Sequence, residues 1–173
     1  MEYILGDFEK VLEITHQFLK VKGKALPATL DRVKLKAELE DGSIVEGEDE
    51  IDAGKKHNRN LKIKRAYLDP DGKVYPKVAE EIKTADFLIL GPGDFYSSII
   101  PCFLPKGIKE AVGESLAKKI FICPVMTKKG ETSRFTIREF CEKTEEYIGS
   151  PLDIVIYNNN YPSFERVGVY KEK

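Results

Sequence analysis

Tryptophan is absent from this 173-residue chain, histidine occurs only at His16 and His57, and cysteine only at Cys102, Cys123 and Cys141. No two cysteines have CxxC spacing, so the pattern argues against a structural zinc site and against a disulfide framework. The three thiols read instead as small, reduced, core-seeking side chains. Long apolar runs are missing too. Stretches such as 87–90 and 120–123 fall far short of the about 20 residues that cross a bilayer, so no membrane insertion is expected. Twenty-eight Lys plus Arg against twenty-nine Asp plus Glu leave a net charge of −1, which lacks the basic surplus of a nucleic-acid binder. Met1-Glu2-Tyr3-Ile4 shows no basic segment leading into an apolar one, so nothing signals export and a cytoplasmic location is expected. No Ser-His-Asp order with a nucleophile elbow and no paired carboxylates stand out, leaving catalytic residues unassigned.

What is present is 42% hydrophobic residues, enough for a single domain with a real core. Apolar residues at Phe8, Val11, Leu12, Ile14, Phe18 and Leu19 have helical spacing over 7–20, with Asp7 as N-cap and Gly23 as terminator. Val33, Leu35, Ala37 and Leu39 alternate up to Asp41-Gly42, and Ile44 and Val45 resume, which predicts a β-hairpin. A third strand over 61–68 would complete a small antiparallel sheet within 31–70, an excursion from the main domain. The charged segment 46–60 reads as a solvated loop.

From Pro76 onward helices alternate with short apolar strands. Helices at 76–84, 106–117 and 136–148 precede strands at 86–90, 119–123 and 152–157. Continuous apolar strands separated by helices predict a parallel sheet covered on both faces, hence a doubly wound α/β domain. Ligands of such sheets collect beyond the strand carboxyl ends, at the point where strand order reverses.

Three loops qualify by that rule. Gly91-Pro92-Gly93-Asp94-Phe95-Tyr96-Ser97-Ser98 follows the first strand. Its glycines admit sharp turns and close backbone approach, and a short helix beginning near Phe95 would offer N–H groups to a phosphate or carboxylate. Asp94 opposes simple anion binding and suits a sugar hydroxyl, a cation, a ligand amide or a helix cap. Residues 124–135 follow the second strand and mix Lys128, Lys129 and Arg134 with Glu131 and small or hydroxylated residues around Gly130. Thr136 is placed to cap the next helix. Asn158-Asn159-Asn160 follows the third and offers side-chain amides, or merely a turn.

Four segments together resemble the YvcK/CofD family. They are ALPATL at 25–30, AELEDGSIVEGE at 37–48, DFLILGPGDFYSSIIPCFLPKGIKEAV at 86–112 and MTKKGET at 126–132. Their order and spacing are closest to the YvcK-like branch, the gluconeogenesis factors, whose usual wording is LPATL, AELEDG, GPGSLYTSIIPNLL and MTQPGET. The resemblance implies a Rossmann-like, three-layer parallel sheet of the CofD type across 1–173. It also implies binding of a nucleotide-sugar such as UDP-N-acetylglucosamine, with a regulatory role in carbon metabolism and cell-wall or cell-shape control. The ligand residues it implies are Gly91, Pro92, Gly93, Asp94, Phe95, Tyr96, Ser97, Ser98, Met126, Thr127, Gly130, Glu131, Thr132, Phe135 and Asn158. The alternative is a CofD-type transferase that moves a phospholactyl group from a nucleotide-activated donor, with Asp94 holding a divalent metal such as magnesium. Asp94, Cys102, Pro124, Phe135 and Phe140 depart from the branch wording, where polar side chains are usual at most of these places. Family members also begin with a GGGTG-type strand and loop that has no counterpart here. The resemblance therefore implies a central and C-terminal portion of the family fold, completed by an N-terminal half or by a homodimer partner.

Overall fold

The computed structural model describes residues 8–20, 22–54, 57–160, 163 and 165. Two three-stranded sheets share one core. The antiparallel sheet comprises β1 (Lys34–Leu39), β2 (Ile44–Glu46) and β3 (Ile63–Asp69) in the order β2-β1-β3. The hairpin register pairs Ala37 with Val45, and both are buried, while Lys36 and Glu38 stand opposite Glu46 and Ile44 on the outer side. This is the alternation read from the sequence, with Gly42 at φ +83 making the turn.

The parallel sheet comprises β4 (Phe87–Leu90), β5 (Lys118–Ile122) and β6 (Ile154–Ile156), ordered β4-β5-β6. Helix α1 (Phe8–Leu19) comes first among the described residues; Asp7, its expected cap, lies outside them. Helix α3 (Pro76–Thr84) starts with proline at its first position. Helix α4 (Ile108–Glu114) is shorter than the sequence pattern predicted, because Gly107 at φ +103 sets its start and Ser115 is already extended. Helix α5 (Ile137–Ile148) is held by a capping box. The Glu139 N–H donates to Thr136 Oγ1, and the Thr136 N–H returns a bond to the Glu139 carboxylate.

Three expectations need correction. Segment 46–60 is not simply a solvated loop, because it contains helix α2 (Glu48–Ala53), anchored by Ile51 at 1% exposure. The parallel strands are not buried on both faces. Leu90 and Phe121 enter the core, but Phe87 and Ile89 on the opposite face are 60% and 63% exposed. The described sheet also runs in chain order and contains no point where strand order reverses. No helix among the described residues is long and apolar enough to cross a membrane.

Candidate functional site

The loop after β4 lies directly against the end of β5. Gly91 has φ +89, and a Cβ there would stand 2.9 Å from the Ile122 carbonyl oxygen, so the position admits only glycine without displacement. The Asp94 carbonyl then accepts the N–H groups of Ser98 and Ile99, both at 2.9 Å. These bonds wind Phe95–Ile99 into a wide, π-type turn that runs on into a 3₁₀ turn at Ile100–Phe103.

The winding divides the loop in two. Phe95 and Tyr96 turn inward, at 2% and 0% exposure, into edge-on contacts with Phe121, Phe135, Phe140 and Tyr147. Burial pushes the Tyr96 and Tyr147 phenols up, Tyr147 to about 12. Pro92, Gly93, Asp94 and Ser98 remain exposed on the rim.

The loop after β5 coils on itself. Thr132 Oγ1 accepts the Lys128 N–H at 2.9 Å, and the Lys128 carbonyl accepts the N–H groups of Glu131 and Thr132. Gly130 supplies φ +92 beside Arg59, whose Nη2 donates to the Lys129 carbonyl at 2.5 Å and the Asp52 carbonyl at 3.2 Å. This coil buries Glu131 and Thr132 to 1% and 2% exposure.

Two bridges then lock the loops together. Glu131 Oε2 accepts the backbone N–H groups of Tyr96 (2.8 Å) and Ser97 (3.2 Å), and Oε1 accepts the Ser97 hydroxyl at 3.1 Å. The Lys128 ammonium reaches Asp94 Oδ2 at 2.7 Å and Glu131 Oε1 at 3.5 Å, and also pairs with Asp52 at the end of α2. The amides expected to receive a ligand phosphate thus already hold a protein carboxylate. A buried carboxylate needs such donors, so Glu131 organises the rim from beneath.

Chemically the cluster offers three carboxylates and one ammonium. Ligand oxygens of Asp52, Asp94 and Glu131 lie within 4.8 Å of one another, a donor set of the type that hard divalent cations take. Lys128 already stands among them, Glu131 Oε2 serves two loop amides and Oε1 the Ser97 hydroxyl, so the set is satisfied by its own cation and does not fit a metal as arranged. The exposed Asp94–Lys128 pair instead presents an acceptor and a donor side by side, which suits ligand hydroxyls and amides.

The structure therefore brings together Gly91 to Ser98, Gly130, Glu131 and Thr132. Of the residues the resemblance implies as ligand-binding, Phe95 and Tyr96 are buried in the aromatic core and Phe135 is half-buried against it. Met126 and Thr127 are exposed beside the cluster. Asn158 has no bond to the cluster among the described residues; its side chain bonds within its own turn, to Asn160. Sequence reasoning missed Asp52, Arg59 and the pivotal role of Lys128. The facing acidic run 48–52 and basic pair 128–129 were the available signal. A cavity of about 530 Å³ touches the loop through Ser97, between Thr29, Leu68 and Pro101. Of the departures from the branch wording, Phe140 is core packing at 3% exposure, and the exposed Cys102 thiol donates to the Ser98 carbonyl.

Comparison with known proteins matches the chain, over residues 1–173, to the family model described as 2-phospho-L-lactate transferase CofD. A putative gluconeogenesis factor of Aquifex aeolicus is 39% identical over 173 residues, spanning 98% of this chain and 52% of the relative. The gluconeogenesis factor of Halalkalibacterium halodurans is 37% identical, spanning 100% of this chain and 53% of its own. The crystal structure of protein BH3568 from Bacillus halodurans superposes with a TM-score of 0.90 at 35% identity, over 99% of this chain and 54% of that one. The chain thus spans about half the length of the relatives it matches. With the Aquifex and Halalkalibacterium relatives named as gluconeogenesis factors and the family model matched from the first residue to the last, the chain belongs to the CofD family.

Proposed function

We propose that this protein binds a nucleotide-sugar of the UDP-N-acetylglucosamine kind and acts as a cytoplasmic regulatory protein of the gluconeogenesis-factor type, linked to carbon metabolism and cell-wall control. The observation that carries the reading is the convergence of the two strand-end loops, with the exposed Asp94–Lys128 pair held at 2.7 Å on a buried Glu131 base. Asp94 accepts from sugar hydroxyls and Lys128, exchanging one of its three carboxylate partners, donates to an N-acetyl or phosphate oxygen, while the exposed Gly93 and Ser98 let the ligand approach the rim closely.

Calorimetric titration and thermal melting of the chain with UDP-N-acetylglucosamine test this. Binding predicts stabilisation of about 2.7 kcal/mol at a hundredfold excess over Kd, and Asp94→Ala removes it. Absence of both heat and thermal shift at millimolar ligand contradicts the proposal.

The family description keeps a phospholactyl-transferase reading in view. In that reading Asp94 and its neighbouring carboxylates would hold a magnesium ion, which supplies charge neutralisation at the transferred phosphate. As arranged, Lys128 occupies that position, so no step is assigned to a metal. Turnover of a nucleotide-activated donor, abolished by Asp94→Ala, would favour the transferase; binding without turnover favours the regulatory reading.

A further inference from the structure

The transferase reading asks the loop cluster for a divalent cation, and the position of Lys128 disagrees with it. One oxygen each of Asp52, Asp94 and Glu131 lies within 4.8 Å of the other two. Calcium binds oxygen at about 2.3–2.6 Å, so ligands on opposite sides of one such ion stand about 4.6–5.2 Å apart. The three carboxylates are thus close enough to share a single ion. An ammonium reaches all three instead. Lys128 Nζ lies 2.7 Å from Asp94 Oδ2 and 3.5 Å from Glu131 Oε1, and it pairs with Asp52. The backbone fixes it there. The Lys128 N–H donates to Thr132 Oγ1, and the Lys128 carbonyl accepts the Glu131 and Thr132 N–H groups. Arg59 Nη2 donates to the carbonyls of both Lys129 and Asp52, which ties the lysine-bearing loop to the end of α2. The lysine side chain is only 30% exposed, so its ammonium belongs to the cluster rather than to the solvent.

We infer that Lys128 is a tethered cation standing where a divalent ion would bind: the rim meets the diphosphate of its ligand without a metal, and removing the ammonium turns the three carboxylates into a calcium-type site. The electrostatics give the second half. Three carboxylates this close repel one another, and Glu131 is buried, so loss of the ammonium leaves charge that uptake of a cation from solution relieves. The chemistry of lysine gives the first half. A lysine ammonium binds phosphate as a compact point charge with three donors, and exchange of its Asp52 or Asp94 contact for a phosphate oxygen still leaves it two carboxylates. Unlike a metal, it carries no bound water to activate, which suits a rim that holds its ligand intact. The calcium half stands on the geometry alone, whereas the diphosphate half rests on the nucleotide-sugar reading.

Calorimetric titrations of the metal-stripped chain with Ca²⁺ and, separately, with UDP-N-acetylglucosamine test both halves. Lys128→Ala is expected to bind Ca²⁺ saturably at millimolar concentration and at least tenfold more tightly than the wild type. Lys129→Ala removes the same charge one residue away and behaves as the wild type. Adding Asp94→Asn to Lys128→Ala weakens Ca²⁺ at least tenfold, which places the ion in the cluster. Lys128→Gln replaces the alanine variant should that one not fold, since a glutamine carbonyl is itself a calcium ligand. Wild-type uptake as tight as that of Lys128→Ala, or no uptake by a folded Lys128 variant, overturns the inference. With the nucleotide-sugar, a chelator leaves wild-type affinity unchanged, and Ca²⁺ restores part of the affinity that Lys128→Ala loses. A wild-type affinity that falls at least tenfold in chelator also overturns the inference. A wild type that binds no nucleotide-sugar, with or without Ca²⁺, contradicts the nucleotide-sugar reading instead, and the Ca²⁺ titration still decides the role of Lys128.

Discussion

Glu131 carries three hydrogen bonds and one ion pair while nearly fully buried, so its charge state and shape both matter. Glu131→Gln, with its amide oxygen kept on the Tyr96 and Ser97 N–H groups, turns an NH₂ toward the Ser97 hydroxyl and the Lys128 ammonium where an oxygen acceptor stood. Leaving a buried partner unsatisfied costs about 1–3 kcal/mol. Chemical denaturation of the variant should show that loss, with faster amide exchange at Tyr96 and Ser97; unchanged stability would mean that Glu131 does not organise the rim. Gly91 makes a second single-residue prediction. Gly91→Ala forces a Cβ to within 2.9 Å of the Ile122 carbonyl oxygen at φ +89, so it should destabilise by more than the about 1 kcal/mol that a compatible glycine-to-alanine change gains. The glycines of this loop were legible in the sequence because a tight strand-end turn demands them. Asp52 was not, since its importance arises only when α2 folds against a loop 76 residues further along the chain, and no local pattern encodes that contact.

At the scale of elements, the antiparallel sheet is joined to α5 by one bond, from the Ala66 N–H to the Tyr147 hydroxyl at 2.7 Å. Tyr147→Phe removes the acceptor and should cost about 1–3 kcal/mol in denaturant melts. Burial raises the Tyr147 phenol to about 12. A raised phenol contributes stability that is complete below the unfolded value near 10 and lost as pH rises through about 12. That alkaline loss should shrink in the Phe variant. Acid acts on two ion-paired carboxylates instead. Hydrogen bonds from Lys64 and then Arg65 hold the Glu38 carboxyl below its ordinary value, and the Lys119 N–H followed by Lys118 does the same for Asp153. Depressed carboxylates contribute stability above their unfolded values, and it disappears as pH falls through the folded ones. Glu38→Gln should therefore flatten the acid limb of a stability–pH profile, and an unchanged limb would count against these pairs. The hairpin, helix α3 and the Thr136 cap were readable because alternation, an N-terminal proline and a capping residue are local signals. Helix α2 escaped because six residues hold too little periodicity beneath their charge.

For the whole molecule, the order of helices and strands from Pro76 onward was enough to predict the parallel sheet, since continuous apolar strands between helices have few other solutions. Which face would be covered was not legible. Alternating Phe87 and Ile89 look the same in sequence whether they meet helices or solvent. The central claim is that the loops after β4 and β5 form one ligand-binding rim. Amide chemical-shift mapping by NMR during titration with UDP-N-acetylglucosamine tests it most directly. The account predicts saturable shifts confined to residues 91–98 and 126–135, lost in Asp94→Ala. Shifts in only one of these segments, or only elsewhere in the chain, would contradict it.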